Sequence, residues 1–335
     1  MNIRFLLAFF LLLACESRES APLIESPSGW EKQSSGVKTS LGGASFLSAQ
    51  QGWISGNKGV VLHTTDGGGH WIPQQTGTDK LLVSIFFINA QQGWAVGDNE
   101  TVIHTVDGGS HWVSKDIGVS KDIAKAGGVK SRKKDLTGLF FIDEQKGFIT
   151  GTKGFLISTR DGGLHWETIT LPFNETLTSV FFVSSLKGWV TGDGGAIFYT
   201  EDGGIHFVRQ TTPMAKDLHR IFFVNDKIGF AVGGHGTILA TKNSGQTWEA
   251  QKSGVPTFLL GVFFINEKVG FITGAGGTVL YTTDSGTTWT QQSSGTNEFL
   301  INVYFENKEL GWIVGTKGTI LHTNKGGTLQ AISPH

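Results

Sequence analysis

Apolar residues along this chain come in short bursts separated by turn residues, and the bursts recur. A Gly-Trp or Gly-Phe dipeptide ends at Trp53, Trp94, Phe148, Trp189, Phe230, Phe271 and Trp312, at intervals of 41, 54, 41, 41, 41 and 41 residues. A Phe stands seven positions before each of these aromatics, from Phe46 to Phe305. Gly follows three positions after, from Gly56 to Gly315, and Thr eleven positions after, from Thr64 to Thr323. Trp71, Trp112, Trp166, Phe207, Trp248 and Trp289 make a further column, eighteen positions after. The second unit predicts four strands, at 83–88, 93–97, 101–105 and 111–114, rich in β-branched and aromatic residues with turn residues between. No unit has a sustained helical period. The adjacent Phe pair predicts a strand covered on both faces. Four strands in about 40 residues is the arithmetic of a β-propeller blade, and seven units predict an all-β, seven-bladed β-propeller of four-stranded antiparallel blades.

The ends of the chain predict how the ring closes. Trp30 lies 23 residues before Trp53, as Trp71 lies 23 before Trp94, so residues 29–34 read as a fourth strand without its first three. The seventh unit has the opposite defect: an unusual turn, Asn324-Lys325-Gly326-Gly327, and then Gln330 in the aromatic column. The N-terminal strand is therefore expected to complete the last blade, which removes an open edge where the ring meets itself.

Composition narrows the class. Gly supplies 48 of 335 residues, charged residues only 16%, the net charge is −1, and there is one Cys. Gly does not recur every third residue, so collagen is excluded. The apolar fraction of 39% argues against disorder, one Cys against a disulfide scaffold, and the balanced charge against nucleic acid.

Residues 1–15, MNIRFLLAFFLLLAC, place Arg4 before an apolar run too short to span a bilayer, as in a secretory signal. The ending Leu12-Leu13-Ala14-Cys15 resembles the bacterial lipobox. That resemblance implies a signal peptide over 1–14, cleavage before Cys15 and lipidation of Cys15. A polar tether over 15–28, the propeller over 29–330 and a tail over 331–335 would follow. The expected location is the cell envelope, lipid-anchored on the periplasmic or outer surface, or the thylakoid lumen in a cyanobacterium.

Between the third and fourth strands runs TTDGGGHW (64–71), with relatives at 105–112, 159–166, 200–207, 241–248 and 282–289. This resembles the Asp-box, or BNR repeat, of sialidases and sortilin-type receptors. Asp66, Asp107, Asp161, Asp202 and Asp284 are expected to cap backbone N–H groups of their own turns, with Gly supplying positive φ. The combined FF(I/V), G(W/F)xxG and TxDGGxxW pattern spans nearly all of 29–330 and is similar to the photosystem II stability/assembly factor family of seven-bladed propellers. The resemblance implies a non-enzymatic scaffold that binds a protein partner during assembly. Photosynthetic members present an Arg-rich patch; here Arg18, Arg132, Arg160, Arg209 and Arg220 are scattered.

The competing class is a glycan-active propeller, a sialidase-like or other glycoside hydrolase, or a glycan-binding adhesin. Sialidases need an Arg triad and a Tyr nucleophile, but Tyr199, Tyr281 and Tyr304 all sit at repeat positions. Seven of ten His fall in two repeat columns (His63, His104, His322; His70, His111, His165, His206), without ligand spacing. No catalytic residue, metal or cofactor is expected. Partner binding is expected on the face formed by the second-to-third-strand turns and the interblade links. That face carries Lys58, Asp98, Glu100, Lys153, Asp193, His235 and Lys317, with Arg220 near the start of an inner strand. It also carries an insertion at 115–135, including Lys130, Arg132, Lys133 and Lys134, with seven cations against three acids. The expected partner is a protein at a membrane surface, bound by a monomer.

Overall fold

A computed structural model describes residues 29–118 and 133–327. Twenty-eight strands, numbered β1 to β28 in chain order, form seven four-stranded antiparallel sheets arranged as the blades of one ring. Blade 1 is β2 (Leu41–Phe46), β3 (Gly52–Gly56), β4 (Val61–Thr64) and β5 (Ile72–Gln74), paired in that order. Blades 2 to 6 repeat this order. Blade 7 is β26 (Leu300–Phe305), β27 (Gly311–Gly315) and β28 (Ile320–Gly327), and its fourth strand is β1 (Gly29–Gln33). The register pairs Glu31 with His322, Lys32 with Leu321 and Gln33 with Ile320. The ring thus closes with the N-terminal strand, as the orphan Trp30 predicts. Gln330 lies outside the described residues.

The fourth strands are shorter than expected. In blade 2 only Val113–Ser114 is extended. Trp112 precedes that strand and is used for packing instead.

The three aromatic columns build one device that recurs around the ring. The second-strand aromatic of each blade stacks on the Phe of the next: Trp53 on Phe87 at 3.6 Å, Trp189 on Phe223 at 3.5 Å, Phe230 on Phe264 at 3.8 Å. A Trp meets the same Phe edge-on, as with Trp112 and Phe87 at 5.9 Å. Trp30 repeats this on Phe305, at 5.7 Å and 79° between planes. Edge-on and offset aromatic pairs add stabilisation beyond the area they bury. The Gly that opens each second strand is required by this cluster: a Cβ on Gly52 or Gly93 would strike the ring of Phe46 or Phe87.

A polar latch crosses the seams as well. Gln74 donates Nε2 to the Gly108 carbonyl at 2.9 Å and accepts from Trp112 Nε1 at 3.2 Å. Gln33 does the same to Gly67 (3.0 Å) and Trp71 (3.2 Å), so the closing strand also ties blade 7 to blade 1. Two seams lack the Gln. Ile169 takes its place before blade 4, where the facing aromatic is Phe207, which has no N–H to satisfy. Lys115 takes its place before blade 3, and the buried Nε1 of Trp166 has no partner.

The inner strands line a central channel. Phe86, Phe140, Phe181, Phe222, Phe263 and Tyr304 form a collar around it, with neighbouring centroids 5.0–5.4 Å apart. In blade 1 the position is Ser45, whose Oγ accepts the Phe87 N–H at 3.0 Å.

Candidate partner-binding face

Two faces of the ring are chemically distinct. On one, each Asp-box turn folds back on the turn between the first and second strands of its blade, with Gly67 N–H donating to the Gln50 carbonyl at 2.9 Å. Asp66 Oδ1 accepts from Thr64 Oγ1 (2.8 Å) and from the His70 N–H (2.9 Å), and Oδ2 meets His70 Nδ1 at 2.6 Å. Asp107, Asp161 and Asp202 make the same contacts with His111, His165 and His206, and Asp284 makes them with Thr288. Hydrogen bonds from the backbone and then the side chain of His111 hold Asp107 at about 2. These carboxylates direct their oxygens into their own turns. The His63, His104 and His322 rings instead lie against Trp53, Trp94 and Trp312. Burial pushes His104 down to about 4.

On the opposite face, the turns between second and third strands pack on the interblade links: Asn57 N–H donates to the Ser40 carbonyl (2.9 Å) and Gly59 N–H to the Lys80 carbonyl (2.7 Å). The central residue of each turn is left-handed. Lys58 (φ 59°), Asn99 (φ 55°), Lys153 (φ 59°), His235 (φ 57°) and Lys317 (φ 52°) hold this conformation, alongside Gly194 and Gly276. It is disfavoured for residues with a Cβ. A Cβ added at Gly194 or Gly276 would meet nothing within 4 Å, so the position opens onto solvent. Lys58, Lys153, His235 and Lys317 are exposed and belong to blades 1, 3, 5 and 7. Lys317 Nζ is 2.9 Å from Glu298 Oε1.

The acids on this face sit lower. Asp98 and Asp193 open their turns, each with a buried Oδ1 that has no partner. Burial first, and then Asp135, pushes Asp98 up to about 6; burial and then Asp217 do the same to Asp193. Glu100 accepts the Lys134 N–H at 3.2 Å, and Lys134 Nζ lies 4.4 Å over the Phe155 ring. Lys133 is exposed beside it. Lys130 and Arg132 lie outside the described residues, as does Cys15. Arg220 is not on this face: it lies within the first strand of blade 5 and lines the channel.

Among the described residues the arginines stand apart, Arg160 on an Asp-box turn, Arg209 on an outer strand and Arg220 in the channel. Tyr199 and Tyr281 pack on Trp189 and Phe271, and Tyr304 donates to Glu306 at 2.6 Å. Among the described residues no group of three or more His, Cys, Asp or Glu could hold a metal ion, and no helix is long and apolar enough to cross a membrane.

This geometry defines a seven-bladed propeller with Asp-box turns on one face and left-handed second-to-third-strand turns on the other. A family profile described as "Photosynthesis system II assembly factor YCF48" matches residues 70–127, 128–213, 211–283 and 240–331, and the chain belongs to that family. The fold is similar to a structure of YCF48 bound to D1 peptide, at 20% identity and TM-score 0.72, over 91% of this chain and 99% of that one. YCF48 from Cyanidioschyzon merolae is similar at 16% identity and TM-score 0.71, over 88% and 98%. The GH74 enzyme of Niastella koreensis shares the fold at 14% identity and TM-score 0.68, over 88% of this chain and 53% of the enzyme. No curated protein sequence matches significantly.

Proposed function

We propose that this chain is a non-enzymatic, membrane-anchored propeller of the YCF48 type that holds a segment of a protein partner on its second-to-third-strand turn face. The observation that carries this reading is the set of exposed Lys and His side chains kept in the left-handed region, where glycine serves two other blades. Side chains held at such a backbone cost are found preferentially at functional sites. The structural neighbour in complex with D1 peptide supports a protein partner. Anchoring through a lipidated Cys15 would hold the ring at a membrane, with the tether entering β1 at the Asp-box end of blade 7, and Lys130, Arg132, Lys133 and Lys134 would add attraction for acidic partners or headgroups.

The test exploits the conformation. In the triple variant K58G/K153G/K317G, each new Gly adopts positive φ without steric cost, so the fold should remain at least within about 1 kcal/mol of the parent. Partner recovery after crosslinking in native membranes, quantified by mass spectrometry, should fall at least tenfold. Unchanged recovery would overturn the assignment of this face. Separately, Cys15→Ser should move the protein from the membrane to the soluble fraction.

A further inference from the structure

Among the described residues that line it, the channel has one cation and no acid. Arg220 belongs to a ring of equivalent first-strand positions: Gly43, Ser84, Gly138, Ser179, Arg220, Gly261 and Asn302. The other six are small or neutral, three of them glycine, so the ring contains one charge and has room around it. Arg220 forms no hydrogen bond or ion pair with any described residue, and its Nε is buried without a partner. Burial alone pushes its pKa down, with no acid opposing. The side chain as a whole is partly exposed, so the guanidinium opens onto the channel, and its partial desolvation without a counter-charge is unfavourable.

The surroundings say what could pair with it. The channel encloses about 240 Å³, lined by Arg220, by Ser84, Ser179 and Asn302, and by the aromatic collar. That is far more than the space one ordered water needs. The collar lies two residues further along each inner strand, about 7 Å from the Arg220 level. Chain direction puts the Arg220 level nearer the link end of the strand, on the side of the proposed partner face, with the collar beyond it. A guanidinium offers a planar fork that matches a carboxylate through two parallel hydrogen bonds. One positive charge in the ring matches a monoanion and leaves a doubly charged phosphate half uncompensated. Apolar ring walls below favour an apolar body.

We propose that the central channel is a binding site for one small monocarboxylate with an apolar body, its carboxylate paired with Arg220 and its body against the aromatic collar. The proposal is independent of the turn-face reading, since no residue is shared.

The test uses the full chain in low-chloride buffer with sodium benzoate, the neutral isostere benzamide, and sodium chloride, read by thermal melting and calorimetry. Benzoate at about a hundredfold excess over its dissociation constant should raise Tm by roughly 4 °C. Benzamide and equimolar chloride should raise it by less than a quarter of that. Arg220→Met should melt above the parent in the anion-poor buffer, because an unpaired, partly desolvated charge is gone, and should lose the benzoate response. Arg220→Lys, which keeps the charge and loses the fork, should bind benzoate at least tenfold more weakly and serves if the Met variant fails to fold. The K58G/K153G/K317G variant should respond as the parent does. An equal response to benzamide, an equal response to chloride, or a benzoate response that survives both Arg220 substitutions would each overturn the site.

Discussion

Closure of the ring by β1 gives the sharpest stability prediction. Trp30 is 5% exposed and packs with Phe271, Leu300, Phe305 and Leu321, across the seam between blades 6 and 7. Its nearest internal equivalent is Trp71, 8% exposed and edge-on to Phe46 at 6.2 Å. Replacing a buried Trp by Ala removes both the transfer free energy and the packing around a cavity, about 3–5 kcal/mol. With roughly 300 ordered residues, the unfolding entropy near Tm is on the order of 0.6 kcal/mol per degree. Trp30→Ala should therefore lower Tm by roughly 5–8 °C, and Trp71→Ala by a similar amount. Deleting residues 29–35 should cost more. It also removes the β28 pairing and the Gln33 latch to Gly67 and Trp71. Differential scanning calorimetry is the assay, because Trp fluorescence is itself altered by the substitution. If Trp30→Ala shifts Tm by less than a degree while Trp71→Ala shows the full loss, β1 does not act as a blade strand in solution and the closure argument fails.

Three further outcomes follow from buried polar groups. Asp193 titrates at about 6 in the fold against 3.8 for the free side chain. Folding stability from this group falls as pH rises from 3.8 towards 6, and the penalty is complete above 6. Asp193→Asn should then gain about 3 kcal/mol at pH 8 and nothing below pH 3.8; a pH-independent gain refutes the linkage. His104, held at about 4 by burial, has the opposite sign: its contribution is intact above 6.5 and lost as pH falls towards 4. His104→Tyr, the residue used at the equivalent Tyr199 and Tyr281, should match the parent at pH 8 and melt progressively higher than it below pH 6.5; parallel Tm curves refute this. Lys115→Gln supplies the missing acceptor for Trp166 Nε1 and should add about 1 kcal/mol, roughly 2 °C by calorimetry. No gain would mean the latch contributes little at that seam.

The interplay of columns explains what was legible in the chain and what was not. Seven Gly-aromatic steps, the Phe seven residues earlier and the orphan Trp30 determined the blade count and the closing strand, because a repeat of local β-geometry needs no knowledge of distant partners. The Asp-box turns were legible for the same reason: each carboxylate finds its donors within four residues. The Gln column at 33, 74, 210, 251 and 292 was equally present in the sequence, but its role depends on a Trp and a carbonyl of the next blade. The same holds for Phe207, whose lack of an N–H is meaningful only opposite Ile169.

Arg220 shows the limit most clearly. Along the chain it is one cation near the start of a strand, indistinguishable from a face residue. Only ring closure brings Gly43, Ser84, Ser179 and Asn302 around it and leaves it without an acid. Likewise, the left-handed backbone of Lys58, Lys153, His235 and Lys317 follows from the tight turn that each link imposes. The sequence by itself determined the repeating unit, the number of blades and the way the ring ends. Tertiary structure decided which side chains share a channel, a seam or a face, because those neighbours lie a full repeat or more apart in the chain and meet only when the blades are set side by side.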